Sequence, residues 1–155
     1  MAGAVFVDLY AGAGGVGVEA LSRGAHTVHF VEAGRDAVAS LRANLEACGA
    51  DEGRFRIHEG TVSEFITRVP CPFADATVLF ADPPYEADVN ADLLVRFRPG
   101  EFRAMETLVV EHRSKRALVP PAGLRVERER RFGDTTLTYL VPASDPARVE
   151  AESSP

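Results

Sequence analysis

A glycine-rich turn between a predicted strand and a predicted helix constrains the fold of this chain more than any other feature. Residues 4–9 form an apolar run typical of a buried strand, and Gly12, Gly14 and Gly17 follow it with the spacing G-x-G-x-x-G. A helix is predicted directly afterwards, over residues 16–23. A strand that enters a helix through such a turn is typical of α/β sheets that bind nucleotides or nucleosides, because the glycines let a ligand approach the backbone closely.

Strands and helices alternate along most of the chain. The further predicted strands are residues 27–31, 54–58, 77–81 and 107–111, and the further predicted helices are residues 36–48, 62–68 and 88–97. Near-continuous apolar strands indicate a parallel sheet covered by helices on both faces. Two extended runs, 124–132 and 135–141, are joined at Gly133-Asp134 and predict an antiparallel hairpin. We therefore predict an α/β fold with a doubly wound, mostly parallel, Rossmann-like sheet and a C-terminal antiparallel hairpin at its edge.

Length and composition fit one domain. The chain has 155 residues, of which 46% are hydrophobic, so we expect a single domain over residues 1–142. Residues 143–155 are rich in Ser, Pro, Ala and charge, and we expect a disordered tail there. No apolar run has the length of a membrane span and no export signal is visible, which favours a cytoplasmic protein. We expect the protein to be a monomer. The cysteines and histidines lack metal-ligand spacing, so no metal site is predicted.

The charge distribution leaves room for a phosphate-bearing partner. The net charge of -6 argues against nucleic acid, but residues 113–131 carry seven basic and two acidic side chains. Arg128 and Arg130 share one face of the predicted strand by alternation, whereas Arg131 points to the other face. Arg128 and Arg130 are therefore candidate phosphate contacts, and a solvated strand face with alternating charge is an equally good interpretation.

An acidic residue ends the next predicted strand after the glycine turn. Glu32 lies 20 residues after Gly12. An acid at this place accepts hydrogen bonds from the hydroxyl groups of a ribose. The ligand could be a nicotinamide dinucleotide or S-adenosylmethionine, since both contain an adenosine ribose.

The tetrapeptide Asp82-Pro83-Pro84-Tyr85 ends the strand at 77–81. Two consecutive prolines hold the backbone extended, so a stiff loop presents a carboxylate, a backbone carbonyl and an aromatic ring. This combination suits a flat ring that carries an amine. In a doubly wound sheet this strand lies beside the first one, so the proline loop and the glycine turn are expected to flank one crevice. The combination of the proline loop and the glycine turn favours a methyl donor over a nicotinamide as the ligand, because the chain has no room for a separate substrate domain.

The sequence resembles the bacterial small-subunit ribosomal RNA guanine-N2 methyltransferases, which are class I S-adenosylmethionine-dependent enzymes. The segments that carry the resemblance are Val7-Asp8-Leu9-Tyr10-Ala11-Gly12-Ala13-Gly14, residues 18–25, Phe30-Val31-Glu32, Asp82-Pro83-Pro84-Tyr85, Val110-Glu111 and Gly133-Asp134-Thr135. The resemblance implies S-adenosylmethionine as cofactor and ribosomal RNA, or the assembling small subunit, as partner. The residues expected at the cofactor are Asp8, Tyr10, Gly12, Gly14, Glu32, Thr61 and Asp82.

The same resemblance implies that the proline loop binds the target guanine. Asp82, Pro83 and Tyr85 are the candidate catalytic residues, with Pro84, Tyr85 and the two arginines of the last hairpin at the substrate. Glu111 and His112 end the fifth predicted strand near this crevice, and a structural pair is an equally good interpretation. Two other functions stay open. One is adenine-N6 methylation of DNA, and the other is a cofactor-binding domain that is inactive without the segment family members carry before the first strand.

Overall fold

The computed structural model describes residues 1–143, which form one seven-stranded sheet with helices on both faces. The strands are β1 (Val5–Leu9), β2 (Thr27–Glu32), β3 (Phe55–Glu59), β4 (Val78–Ala81), β5 (Thr107–Arg113), β6 (Leu124–Phe132) and β7 (Thr135–Pro142). The α-helices are α1 (Gly15–Ser22), α2 (Arg35–Ala47) and α3 (Val62–Ile66), and shorter helical turns lie at Glu52–Arg54, Asn90–Leu94 and Pro99–Glu101. Among these residues no helix is long and apolar enough to cross a bilayer.

The strand order is β3-β2-β1-β4-β5-β7-β6. The first three strands therefore extend the sheet to one side of β1, and the later strands extend it to the other side. β1 pairs in parallel with β2 on one side and with β4 on the other. The predicted doubly wound sheet is therefore confirmed, including the place of β4 beside β1. Ligands collect at such a reversal, outside the carboxyl ends of the strands.

The C-terminal hairpin forms the edge of the sheet, as predicted. β7 runs antiparallel to both β5 and β6 and lies between them. The register of β6 against β7 shifts between Val126 and Arg128, which leaves Glu127 as an extra residue. Because this irregularity precedes Arg128, the alternation beyond it is regular, and Arg128 and Arg130 do share one face of β6.

Two apolar clusters hold helices against the two faces of the sheet. Phe30 and Leu41 belong to the cluster under α1 and α2, and Leu79 and Ile66 belong to the cluster on the α3 side; all four are fully or almost fully buried. At Gly17 the first turn of α1 lies against the Phe30 ring, and a Cβ there would overlap the ring atoms. Glycine at this position therefore lets α1 approach the sheet closely, which fixes the turn that precedes it.

One segment differs from the sequence-based expectation, and a second lies outside the part of the chain that the structure describes. The predicted helix over residues 88–97 is reduced to the short π-helix Asn90–Leu94, in which the Val95 N–H donates to the Asn90 carbonyl. The Asp88 side chain caps its start by accepting the Asn90 N–H. Residues 144–155 of the predicted tail lie outside the described residues. Ala143 itself donates its backbone N–H to the Gly123 carbonyl at 2.8 Å.

Candidate active site

The register of the parallel strands brings four polar side chains to one edge of the sheet. Leu9 pairs with Val31 and with Ala81, and Ala81 pairs with Val110. The residues that follow these positions are therefore neighbours at the carboxyl edge. They are Tyr10, Glu32, Asp82 and Glu111.

A first cleft, here called the β1 cleft, opens above the ends of β1 and β2. It encloses about 330 Å³, a volume at the lower end of the usual range for small-molecule sites. Its lining residues are Tyr10, Val31, Glu32, Ala33, Gly60, Thr61, Val62, Asp82 and Pro84. The cleft therefore combines a carboxylate at each side with an apolar floor.

Glu32 ties the glycine turn to the second strand. Its Oε2 accepts the backbone N–H of Gly12 at 2.8 Å, and its Oε1 accepts the backbone N–H of Gly34 at 2.7 Å. Each carboxylate oxygen can accept a further hydrogen bond, so both remain able to bind a diol. Gly12 has a φ of 56°, and no atom lies within 4 Å of the place where a Cβ would sit. The space above this turn is consequently open to a ligand.

Asp8 supports the turn from below and does not line the cleft. The side chain is buried, and its carboxylate accepts the backbone N–H of Gly17 at 3.0 Å. Burial, with smaller contributions from the charges of Asp82 and Glu32, raises the pKa of Asp8 to about 7, although the hydrogen bond from Gly17 lowers it. Asp8 is therefore close to half protonated near neutral pH.

Tyr10 begins the turn with a backbone that side chains rarely adopt. Its φ is 67°, and it is the one residue other than glycine within residues 1–143 with a positive φ. Such a conformation costs on the order of 1–3 kcal/mol and tends to occur at functional sites. Burial raises the pKa of its hydroxyl, with a further rise from the charge of Asp92. The ring packs against the core, which holds the strained backbone in place.

A second cleft, here called the Tyr85 cleft, lies on the other side of the proline loop. Its enclosed volume is about 50 Å³, and its walls include Asp82, Pro83, Pro84, Tyr85, Glu111 and Arg113. Pro83 is buried, whereas the Tyr85 side chain is 63% exposed. The guanidinium carbon of Arg113 lies 3.5 Å from the centroid of the Tyr85 ring. The rigid loop therefore presents an aromatic ring at the mouth of the cleft.

Asp82 and Pro84 line both clefts and form the wall between them. Partial burial raises the pKa of the Asp82 carboxyl. Burial also raises the pKa of Glu111, and the charge of Asp82 raises it further. In the described part of the chain, no group of three or more metal-ligating side chains comes together. The site is thus a pair of adjoining clefts with two neighbouring carboxyl groups at their junction.

The structure brings most of the predicted site residues together but not all of them. Glu32, Thr61 and Asp82 meet around the β1 cleft, although the Thr61 hydroxyl is engaged as the cap of α3, where it accepts the Glu64 N–H. Gly12 and Gly14 lie in the turn beside Glu32 and are not among the residues that line either cleft.

The two arginines predicted at the substrate lie away from the proline loop. Arg128 and Arg130 are exposed on β6 and line neither cleft. The Arg128 guanidinium stacks on Tyr139 of β7, 4.0 Å from the ring centroid. Both side chains occupy the same sheet face as Arg113, because paired residues in antiparallel strands point to one side.

Arg113 had no individual role in the sequence-based predictions, and the role of Glu111 was open. The positions of both residues follow from the pairing of β5 with β4, since the end of β5 must then lie at the same edge as Asp82. Glu111 and His112 both line the Tyr85 cleft, and within the described residues no hydrogen bond joins their side chains. The His112 ring contacts the Thr138 hydroxyl at 2.8 Å instead.

Comparisons with known proteins agree with the observed fold. The family model described as "Conserved hypothetical protein 95" matches residues 1–141. A solved structure titled "Putative methyltransferase yhhF from Escherichia coli" is 23% identical with a TM-score of 0.78, covering 93% of this chain and 78% of that chain. A "putative RNA methyltransferase" from Pyrococcus horikoshii is 22% identical with a TM-score of 0.66, covering 94% and 76%.

A third structure, of a "putative methyltransferase complexed with SAH", is 12% identical with a TM-score of 0.73, covering 90% of this chain and 45% of that chain. These likenesses establish the Rossmann-like fold of methyltransferases for this chain. A search of curated proteins finds no match to it.

Proposed function

The chain belongs to the family described as conserved hypothetical protein 95, and we propose that it transfers a methyl group from S-adenosylmethionine to the N2 amine of a guanine in small-subunit ribosomal RNA. The observation that carries this proposal is the wall shared by the two clefts. A methyl transferase needs its donor and its acceptor in adjoining sites, with the reacting atoms in contact. Asp82 and Pro84 line both clefts, so the β1 cleft and the Tyr85 cleft adjoin at these two residues.

The β1 cleft suits the adenosine part of the cofactor. The Glu32 carboxylate is fixed by two backbone N–H groups and keeps lone pairs for the two ribose hydroxyls. The open space over Gly12 admits a ligand close to the backbone. Gly60 and Thr61 border the same cleft at the end of β3, where the adenine would lie. When bound, the cofactor supplies a methyl group on a positively charged sulfur.

The Tyr85 cleft suits the acceptor. The exposed Tyr85 ring offers a face on which a base can stack, and stacking on an aromatic side chain is worth about 1–3 kcal/mol per base. The Asp82 carboxylate and the Pro83 carbonyl would accept the two protons of the guanine amine. These contacts draw the nitrogen lone pair out of conjugation and aim it toward the β1 cleft.

Methyl transfer to the guanine amine requires the removal of one amine proton. The amine nitrogen forms the new N–C bond while the C–S bond breaks, S-adenosylhomocysteine leaves, and one amine proton is released. Asp82 is placed to take this proton, because partial burial raises the pKa of its carboxyl and makes it a better acceptor. The rest of the rate gain comes from orientation and electrostatics, since no covalent enzyme intermediate is needed.

Two observations support RNA as the substrate. Residues 113–131 concentrate basic charge, and Arg113, Arg128 and Arg130 lie on one face of the C-terminal part of the sheet. A base inside a duplex is out of reach, so a loop or an unpaired nucleotide is the target that fits an exposed cleft. One structure of the same fold is described as a "putative RNA methyltransferase". We place the reaction in the cytoplasm with a monomeric enzyme.

Mass analysis of nucleosides tests the proposal. The protein is incubated with S-adenosylmethionine and, in parallel, with small ribosomal subunits, naked small-subunit RNA or DNA. N2-methylguanosine in either RNA sample supports the proposal. N6-methyladenine in the DNA sample would support the alternative that the Asp-Pro-Pro-Tyr loop also suits. Cofactor binding by calorimetry without any methylated nucleoside would indicate a binding domain without catalytic activity.

A further inference from the structure

Glu111 and Asp82 are neighbours on adjacent strands of the sheet. Ala81 at the end of β4 pairs with Val110 of β5, so the next residue of each chain segment projects over the same edge. Adjacent strands lie about 4.8 Å apart. Both side chains line the Tyr85 cleft.

The Glu111 carboxylate has no partner of its own within the described residues. No ion pair joins it to a basic side chain there, although Arg113 follows two residues later on the same face of β5. The Arg113 guanidinium stacks on Tyr85 instead. Partial burial and the charge of Asp82 both raise the pKa of Glu111, with no hydrogen bond to lower it. A partly enclosed carboxylate without a donor is stabilised by a ligand that brings one.

We propose that Glu111 accepts the ring N1–H of the target guanine and thereby sets the specificity of the enzyme for this base. This inference rests on the proposed function. Guanine presents N1–H and the N2 amine as adjacent donors on one edge, and two carboxylates side by side accept both. Asp82 takes the amine that is methylated, and Glu111 takes the neighbouring ring proton.

The same arrangement rejects the other purine. Adenine carries a bare acceptor at N1, which would face a carboxylate that can only accept. A mismatch of this kind costs about 1–3 kcal/mol, or about fivefold to 150-fold in discrimination. Glu111 is therefore a specificity residue that contacts the substrate, and it takes no part in the proton transfer.

A guanine analogue separates this role from a structural one. The methylated guanine is first mapped in small-subunit RNA by mass spectrometry of nuclease fragments. It is then replaced by 2-aminopurine, which keeps the N2 amine but has an acceptor at N1. Methylation of both RNAs is measured as kcat/KM for wild type, for Glu111→Gln and for the control Glu127→Gln, which alters an exposed acid on β6.

The wild type is expected to prefer guanine over 2-aminopurine by about tenfold to a hundredfold. Glu111→Gln should lower this preference at least about tenfold, because an amide can donate to N1, while cofactor affinity and the control variant stay at the wild-type values. An unchanged preference in Glu111→Gln, with both substrates slowed equally or not at all, would overturn the inference. A wild type that methylates neither RNA would instead reject the proposed function, and the inference with it.

Discussion

The Arg113 guanidinium covers one face of the Tyr85 ring, with 3.5 Å between its central carbon and the ring centroid. The ring belongs to a loop that two prolines stiffen, and Arg113 ends the neighbouring β5. One face of the aromatic ring is thus engaged by the protein while the side chain remains 63% exposed. The ring is therefore held in a fixed orientation, with its remaining surface available to a base.

Replacing Tyr85 tests the stacking role directly. Tyr85→Ala should lower kcat/KM for the RNA by about tenfold to a hundredfold, since a base stacked on an aromatic side chain is stabilised by about 1–3 kcal/mol. Tyr85→Phe keeps the ring and should stay within about threefold of wild type. Initial rates of methylation at varied RNA concentration measure both. Equal losses in the two variants would assign the effect to the hydroxyl group and contradict stacking.

Glu32 should determine cofactor affinity. Glu32→Ala removes the acceptors of the Gly12 and Gly34 N–H groups as well as those offered to the ribose, so the dissociation constant of S-adenosylmethionine should rise at least about tenfold. Titration calorimetry provides the measurement. Glu59→Ala is the matched control, because Glu59 pairs with Glu32 in register but forms an exposed ion pair with Arg42. Similar losses in the two variants would remove Glu32 from the cofactor site.

The order of the elements could be predicted because it depends on local patterns. The run before Gly12, the alternation that follows and the Gly133-Asp134 turn each specify one element, and the sheet then has few ways to assemble. The position of the proline loop beside the glycine turn follows from that topology alone.

The parts that could not be predicted depend on contacts between distant residues. The positive φ of Tyr10 has no signal in the sequence, since tyrosine is not a residue type that favours it. The stacking of Arg113 on Tyr85 depends on the register of β5 against β4. The shortening of the predicted helix over residues 88–97 to the π-helix Asn90–Leu94 has no evident signal in the sequence.

Asp8 should make stability fall as the pH rises. Its pKa is about 7 in the folded protein and near 3.8 when unfolded, so the folded state binds more protons between these values. The free energy of unfolding should therefore decrease between about pH 4 and pH 7, by up to about 4 kcal/mol from this group, and level off above. Urea unfolding at several pH values compares wild type with Asp8→Asn, which keeps an acceptor for Gly17. The prediction fails if both proteins lose stability equally over that range.

Arg128 and Arg130 should bind RNA through its phosphates. The double variant Arg128→Ala and Arg130→Ala is expected to weaken RNA binding and to reduce the slope of log affinity against log salt by about 1–2. Arg131→Ala is the control, because Arg131 points to the opposite face and donates to the Gly133 carbonyl. Binding isotherms at several salt concentrations give both slopes. An equal reduction in the control would mean that general charge, and not this face, is responsible.

The central claim is that Asp82 acts on the acceptor amine at the wall between the two clefts. Its most direct test is the ratio of methyl transfer to cofactor binding in Asp82→Ala, with the exposed hairpin residue changed in Asp134→Ala as the control. Single-turnover rates on small-subunit RNA should fall by at least about a hundredfold in Asp82→Ala, while its S-adenosylmethionine affinity stays near the wild-type value. A parallel loss of both quantities, or a rate that remains near wild type, would contradict the claim.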